Sequence, residues 1–385
     1  MIRFHDHAVV LQNGKPTPAS EKDAASREKT IAYRILRAHN FSKEDGALRI
    51  RFDALASHDI TYVGIIQTAR ASGLKKFPVP YVMTNCHNSL CAVGGTINED
   101  DHVFGLSAAK KYGGIFVPAN LSVIHSFARE ELAGCGKMIL GSDSHTRYGA
   151  LGTMGIGEGG PELVKQLLKN TYDIPAPEVV LCYVTGQPRR GIGPHDVALA
   201  LVKEAFQDGR VKNKVLEFAG PGIRHLPVDF RNGIDVMTTE TTCLSSIWET
   251  DGEIATYYRT HGRPVDFHRL APQDGAYYDA MITIELDKVE SMIALPFHPS
   301  NAYPIHEFLE RADELLAKVE ADAAVRFPNV KLNLREKVLS DGVHANQGII
   351  AGCAGGLFDN IIEASEILSG KSTGNGEFSL SVYPT

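Results

Sequence analysis

An almost unbroken apolar run at residues 178–185, EVVLCYVT, does most to restrict the architecture of this chain. It has the length of a strand, and it lacks the alternation of a strand that is half in water. It therefore fits a sheet covered on both faces. Around it the periodicity keeps switching. LRIRFD at 48–53, Pro80 to Thr84, Gly113 to Val117, Met138 to Leu140, Lys214 to Ala219, Met281 to Leu286 and Gln347 to Cys353 read as strands. Ser20 to Asn40 (with Ser20 as N-cap), Ile60 to Ser72 (stopped by Gly73), Asp100 to Tyr112, Asn120 to Leu132, Pro161 to Leu168, His195 to Gln207 and Pro304 to Ala321 read as helices. Residues 1–19 read as short strand pieces with a hairpin signal at Asn13-Gly14. Strands alternating with helices predict α/β layers, with mixed sheets covered by helices.

A chain of 385 residues exceeds one ordinary core. Two segments rich in Gly and Pro, GQPRRGIGP at 186–194 and LPFHPSNAYP at 295–304, supply boundaries. The expected division is 1–186, 187–303 and 304–385. With 43% hydrophobic and 22% charged residues, disordered, collagen-like and coiled-coil architectures are excluded. The net charge of -7 opposes nucleic acid or an anionic membrane as partner. The N-terminus has no sustained apolar core of a signal segment, and no apolar run is long enough to span a bilayer. A cytoplasmic protein is expected. Cys86, Cys91, Cys135, Cys182, Cys243 and Cys353 are scattered without a C-x-x-C pair, which disfavours a disulfide framework or a zinc ribbon.

Chemistry concentrates in residues 137–160, KMILGSDSHTRYGALGTMGIGEGG. An apolar strand end gives way at Gly141 to Asp143, Ser144 and His145, which offer an acceptor, a hydroxyl and a titratable imidazole. The glycines that follow are expected to leave backbone N–H groups open to an anionic ligand, or to pack a loop closely against a helix. Gly155 to Gly160 formally satisfy G-x-G-x-x-G, but they begin about fourteen residues past the strand end, and no ribose-binding acid follows. Adjacent Asp, Ser and His do not make a hydrolase triad, whose members come from separate elements. The plain alternative is that Asp143 and Ser144 cap a turn beside a half-buried His145. Cys86, His87 and Cys91 miss the common zinc spacings, whereas Cys353, in GCAGG at a strand end, is placed to present a thiolate to a cleft.

Taken with other blocks in the same order, GSDSHT resembles the signature of the aconitase family, which includes isopropylmalate isomerase and homoaconitase. The other blocks are His58-Asp59-Ile60-Thr61, Lys111-Tyr112-Gly113, Ile124-His125, Gly220-Pro221-Gly222, Glu240-Thr241-Thr242 and Leu295 to Pro299. The likeness covers nearly the whole chain. It implies three α/β/α domains around a four-iron, four-sulfur cluster, closed by a swivelling fourth domain. It also implies a hydro-lyase reaction on a small di- or tricarboxylate. By this resemblance Asp143, His145, His125 and His87 are catalytic, Ser144, Asn88 and Asn232 bind substrate, and Cys353 is a cluster ligand.

The departures are specific. The family's further cluster cysteines and its swivelling domain do not occur before Thr385. The C-D-H block reads Cys86-His87-Asn88, the substrate glutamine aligns near Val63, and a substrate-binding Glu falls near Val236 or Met237. The family's T-N-S has become Ala354, Gly355 and Gly356. These differences set two expectations: that the chain is the N-terminal portion of a longer protein whose missing domains complete the site, and that alone it lacks the cluster. A catalytically silent relative that binds carboxylates or regulates is the alternative function. RNA binding has only Arg189-Arg190 in its favour.

Overall fold

The computed structural model describes residues 1–43, 46–86 and 95–385. Two five-stranded sheets carry the architecture. In the first, Ala54–His58 is central, with Tyr81–Thr84 and then Ile115–Val117 on one side, and Met138–Gly141 and then Met154–Gly157 on the other. All four pairings are parallel. The chain therefore builds outward from the central strand, then crosses back to its other side. This is the doubly wound order, and it opens a crevice between the carboxyl ends of Ala54–His58 and Met138–Gly141.

The second sheet repeats the plan. Val179–Thr185 is central, flanked by Val215–Ala219 and Ser245–Trp248 on one side, and by Ala280–Glu285 and the antiparallel edge strand Ile2–His5 on the other. Val179, Val180, Leu181 and Cys182 are fully buried, as the apolar run at 178–185 predicts. Alternate residues serve different cores: Val179 and Leu181 join the large core of the first sheet, while Val180, Cys182 and Val184 pack with Leu201, Phe218 and Trp248. The sheet draws strands from both sides of the Gly186 to Pro194 segment.

The last part of the chain has a small core of Leu295, Phe308, Leu315, Leu316 and Val319. It also contains a parallel strand pair, Gln347–Ala351 with Ser379–Tyr383, and the helix Phe358–Leu368 lies between these strands in sequence.

Several local expectations shift. The helix expected from Ser20 is a 3-10 segment, Glu21–Lys29, followed by an α-helix confined to Ile31–Ala38. Thr30 stands between them in extended conformation and caps the α-helix, its Oγ1 accepting from the Tyr33 amide at 3.1 Å. The helix expected over Asn120 to Leu132 starts only at Ile124 and ends in a π turn, Ala128–Leu132. The long helix after Pro304 is divided at Arg311 into Ile305–Glu310 and Ala312–Arg326. Met154–Gly157, within the glycine run, is a strand. Two of its four residues are glycine, which hid it from a propensity reading.

The sheets meet where Ser245–Trp248 approaches Met154–Gly157. Ser245 Oγ donates to the Gly155 carbonyl at 2.7 Å, and the buried Arg147 guanidinium donates to the Cys243 carbonyl at 2.9 Å. Asp235 Oδ1 accepts from Ser246 Oγ at 2.6 Å and from Trp248 Nε1 at 2.8 Å. Gly149 passes so close that a Cβ there would lie 2.4 Å from the Ser246 carbonyl oxygen and 2.9 Å from Asp235 Oδ1. Backbone on that side cannot yield as a side chain would. Gly149→Ala is expected to lower stability by about 2 kcal/mol, read as a fall in the urea midpoint, whereas Ala at the open Gly252 position costs far less.

Candidate functional site

Strand register creates the site. Ala56 pairs with Gly141, so His58 and Asp143, each two residues further on, emerge side by side at the carboxyl end of the first sheet. His58 Nε2 stands 3.5 Å from Asp143 Oδ2. The turn after the strand is closed by Asp143 itself: Oδ1 accepts from the His145 amide at 2.7 Å, and its carbonyl accepts from Thr146 Oγ1 at 2.7 Å. The Asp143 carboxylate thus shapes the turn, as the plain reading expects, and also lines the crevice. The glycines pack against this turn from the neighbouring strand. A Cβ at Gly157 would lie 2.4 Å from the Asp143 carbonyl oxygen, and one at Gly155 would lie 2.8 Å from that of Thr146. The run thus supports the loop by close approach, and the open phosphate cradle is not formed.

Three histidines surround Asp143. His125, from the short helix Ile124–Phe127, brings Nε2 to 3.1 Å of Oδ1, and its Nδ1 lies 3.2 Å from the Tyr148 hydroxyl. His145 turns its Nδ1 to 3.7 Å of Oδ1 and its Nε2 to 2.9 Å of Glu240 Oε1. Glu240 comes from the 3-10 turn Thr238–Thr241, and His298 Nε2 stands 3.8 Å from its other oxygen. The wall opposite is the segment after Gln347–Ala351, held by Arg129 Nη1 donating to the Cys353 carbonyl at 3.0 Å.

Together these elements enclose a cavity of about 330 Å³ lined by Asp143, His145, His125 and Cys353 with Cys86, His195, Val236 and Met237. Ser144 is exposed outside it, its Oγ 3.3 Å from His145 Nδ1. Asn232 is buried in the helix Val228–Met237 and is not among the lining residues. His87 and Asn88 lie outside the described residues.

Burial lowers the His125 pKa against the opposing pull of Asp143, so this ring stays neutral at pH 7. With Nε2–H directed to Asp143, its Nδ1 accepts from Tyr148, whose phenol is pushed up by burial and remains a donor. His145 is the opposite case: hydrogen bonds to the Asp143 and Glu240 carboxylates push it up to about 9, leaving an imidazolium at neutral pH. Glu240 is held below the usual carboxylate range by His145. Burial pushes the Cys353 thiol up and His195 down.

Glu240, His58, Cys86, His195 and Tyr148 are site residues that the sequence reading did not select. His58, Glu240 and Cys86 stood in quoted blocks and Tyr148 within residues 137–160, and that was the available signal. Val236 and Met237 themselves line the cavity with apolar side chains, and the nearby acid that reaches the site is Glu240, brought to His145 by the 3-10 turn.

A doubly wound α/β scaffold with a histidine- and carboxylate-lined cavity at its switch point defines a class of proteins that hold small ligands at the sheet's carboxyl end. Within that class the family is shown directly: residues 33–385 match the Aconitase family (aconitate hydratase), and the chain belongs to that family. It is 28% identical over 313 residues to the mitochondrial aconitate hydratase of Schizosaccharomyces pombe, covering 75% of this chain and 39% of that protein. The Saccharomyces cerevisiae mitochondrial enzyme is 27% identical over 311 residues, covering 74% of this chain and 40% of the enzyme. A probable mitochondrial aconitate hydratase of Dictyostelium discoideum is 26% identical over 318 residues, covering 78% and 40%. The chain spans about two fifths of the length of these relatives. Their names place them in mitochondria and give no support to the cytoplasmic expectation. Among the described residues, no helix is long and apolar enough to cross a membrane.

The His145 geometry has a pH signature. Its folded pKa lies above the ordinary 6.5, so its contribution is complete below about pH 6.5 and lost as pH rises through about 9. Glu240, with its pKa depressed from 4.5, contributes above that value and loses the contribution as pH falls through its folded pKa. Thermal melts across pH 4–10 should show the pair's contribution complete between about pH 4.5 and 6.5. In His145→Gln the decline between pH 6.5 and 9 should flatten. An unchanged profile in that variant contradicts the assignment.

Proposed function

We propose that the protein is a hydro-lyase that adds or removes water across a carbon–carbon bond beside a carboxylate in a small hydroxy acid. The observation that carries this reading is the line Glu240–His145–Asp143–His125 at the cavity wall. It holds a charged imidazole and a neutral one on either side of a single carboxylate. Family membership and the aconitate hydratase names of its relatives support the same class.

His145, protonated at neutral pH, attracts a substrate carboxylate and has a proton to give to a departing hydroxyl, which is the half of the elimination these residues serve; the proton on the neighbouring carbon passes to a separate base. Asp143 stabilises the charged ring before transfer and fixes the orientation of both imidazoles. His125, neutral and tied through Nδ1 to Tyr148, accepts or returns a proton only through a rearrangement of that pair, so its role is to position Asp143 and the substrate oxygen. Val123, Ile124, Val236 and Met237 offer apolar surface to a short carbon chain and reduce competing water.

The resemblance also implies an iron–sulfur cluster with Cys353 as a ligand, and we include the cluster in the proposal for the whole catalyst. Cys353 and Cys86 both reach the cavity, but four-iron clusters are held by several thiolates. Among the described residues, no group of three or more His, Cys, Asp and Glu side chains is arranged to hold a metal ion. This donor set does not fit a four-iron cluster by itself, and the steps above use only the chain's own groups.

The test is hydration of unsaturated di- and tricarboxylates by the full-length protein after reconstitution with iron and sulfide, followed by loss of enoate ultraviolet absorbance. His145→Asn and Asp143→Asn should each lower kcat by about 10²–10⁴-fold, with smaller effects on KM. Tight carboxylate binding without turnover in the reconstituted protein would replace this reading with the carboxylate-binding one.

A further inference from the structure

The second sheet has its own switch point. Its central strand Val179–Thr185 lies between Val215–Ala219 and Ala280–Glu285, and the chain crosses from one side to the other after Ser245–Trp248. Ligands of doubly wound sheets bind outside the carboxyl ends of the two strands where the order reverses. In the first sheet that place holds His58 and Asp143. In the second sheet it lies between the segments that follow Thr185 and Glu285.

A crevice of about 420 Å³ occupies that place, lined by Arg189, Arg190 and Ile192 from one segment, by Glu290 and Ser291 from the other, and closed by Ile305 and His306. Arg189 is braced, its Nη2 donating to the Val289 carbonyl at 2.8 Å, and its remaining N–H groups are left for other acceptors. Arg190 has no hydrogen-bond or ion-pair partner among the described residues. Glu290 lies in the crevice but is paired there with His306 Nδ1 at 3.1 Å, and Glu285 is 2.5 Å from Lys288 Nζ. Two guanidiniums, one fixed and one uncommitted, face a polar crevice that carries a serine hydroxyl. A planar fork of donors matches carboxylate and phosphate oxygens.

We infer that this crevice is a second, non-catalytic site for a small oxyanion, a carboxylate or a phosphate, held by Arg189 and Arg190. It is separate from the His145 cavity and stands on different residues. Whether or not the hydro-lyase reading holds, the site keeps its chemistry.

The experiment is calorimetric and NMR titration of the chain with inorganic phosphate in one arm and succinate in the other, with ionic strength held constant by chloride. Saturable binding in the submillimolar to millimolar range is expected in at least one arm, and the arm that responds identifies the anion. Arg190→Gln should weaken it at least tenfold, and Arg189→Gln with Arg190→Gln should abolish it. Because Arg190 is exposed and without a partner, its replacement should leave the melting temperature within a degree or two of wild type. His145→Asn should leave this binding intact. The inference is overturned if the double variant binds like wild type, if chloride alone reproduces the response, or if His145→Asn abolishes binding while Arg190→Gln does not.

Discussion

Asp235 is a fully buried carboxyl, pushed up by its burial, and it stands at the junction on which the site depends. Desolvating such a group is costly unless donors meet it. Here the donors are Ser246 and Trp248, both on the edge strand of the second sheet. Asp235 itself sits on the helix that presents Val236 and Met237 to the cavity and leads into the turn carrying Glu240. The turn at Gly149, which follows the Asp143 loop, packs against the same carboxylate. One polar group therefore sets the distance between the two acids that share His145. A displacement of one ångström there would open the 2.9 Å contact between His145 and Glu240 beyond hydrogen-bonding range.

What the sequence reveals follows the range of the interactions involved. The apolar run at 178–185 predicts a doubly covered strand because burial on both faces is written into each residue of the strand. D-S-H-T reads as a site because its turn is local, with every bond spanning three residues or fewer. Glu240 is different: its meaning comes from a contact across ninety-five positions, and nothing in T-T-E-T-T announces the partner. The strand Met154–Gly157 was hidden for a related reason. Glycine is selected there by the backbone of Thr146 and Asp143 pressing from the next loop, which overrides strand propensity. Thr30 shows the reverse error, a long helical pattern interrupted by a residue whose side chain satisfies the amide of Tyr33.

The three imidazoles around Asp143 also show how one carboxylate can hold chemically different partners. His125 is enclosed, so desolvation wins and the ring is neutral. His145 is half-exposed and shared between two acids, so attraction wins and the ring is charged. The difference comes from position relative to water, set by a short helix on one side and a turn on the other. Residue identity alone gives the same group twice.

The Met154–Gly157 strand ends the first sheet and carries two glycines with no side chains to guard it. A bare edge of this kind is a template on which a second chain can add by backbone pairing. The Gly155 carbonyl is instead taken by Ser245 Oγ and, at 3.4 Å, by Arg147 Nη1. The bonds that press the second sheet against the Asp143 loop thus also cover this edge of the first sheet against strand addition. A substitution that loosens that contact would show itself as aggregation as well as a disturbed Asp143 turn.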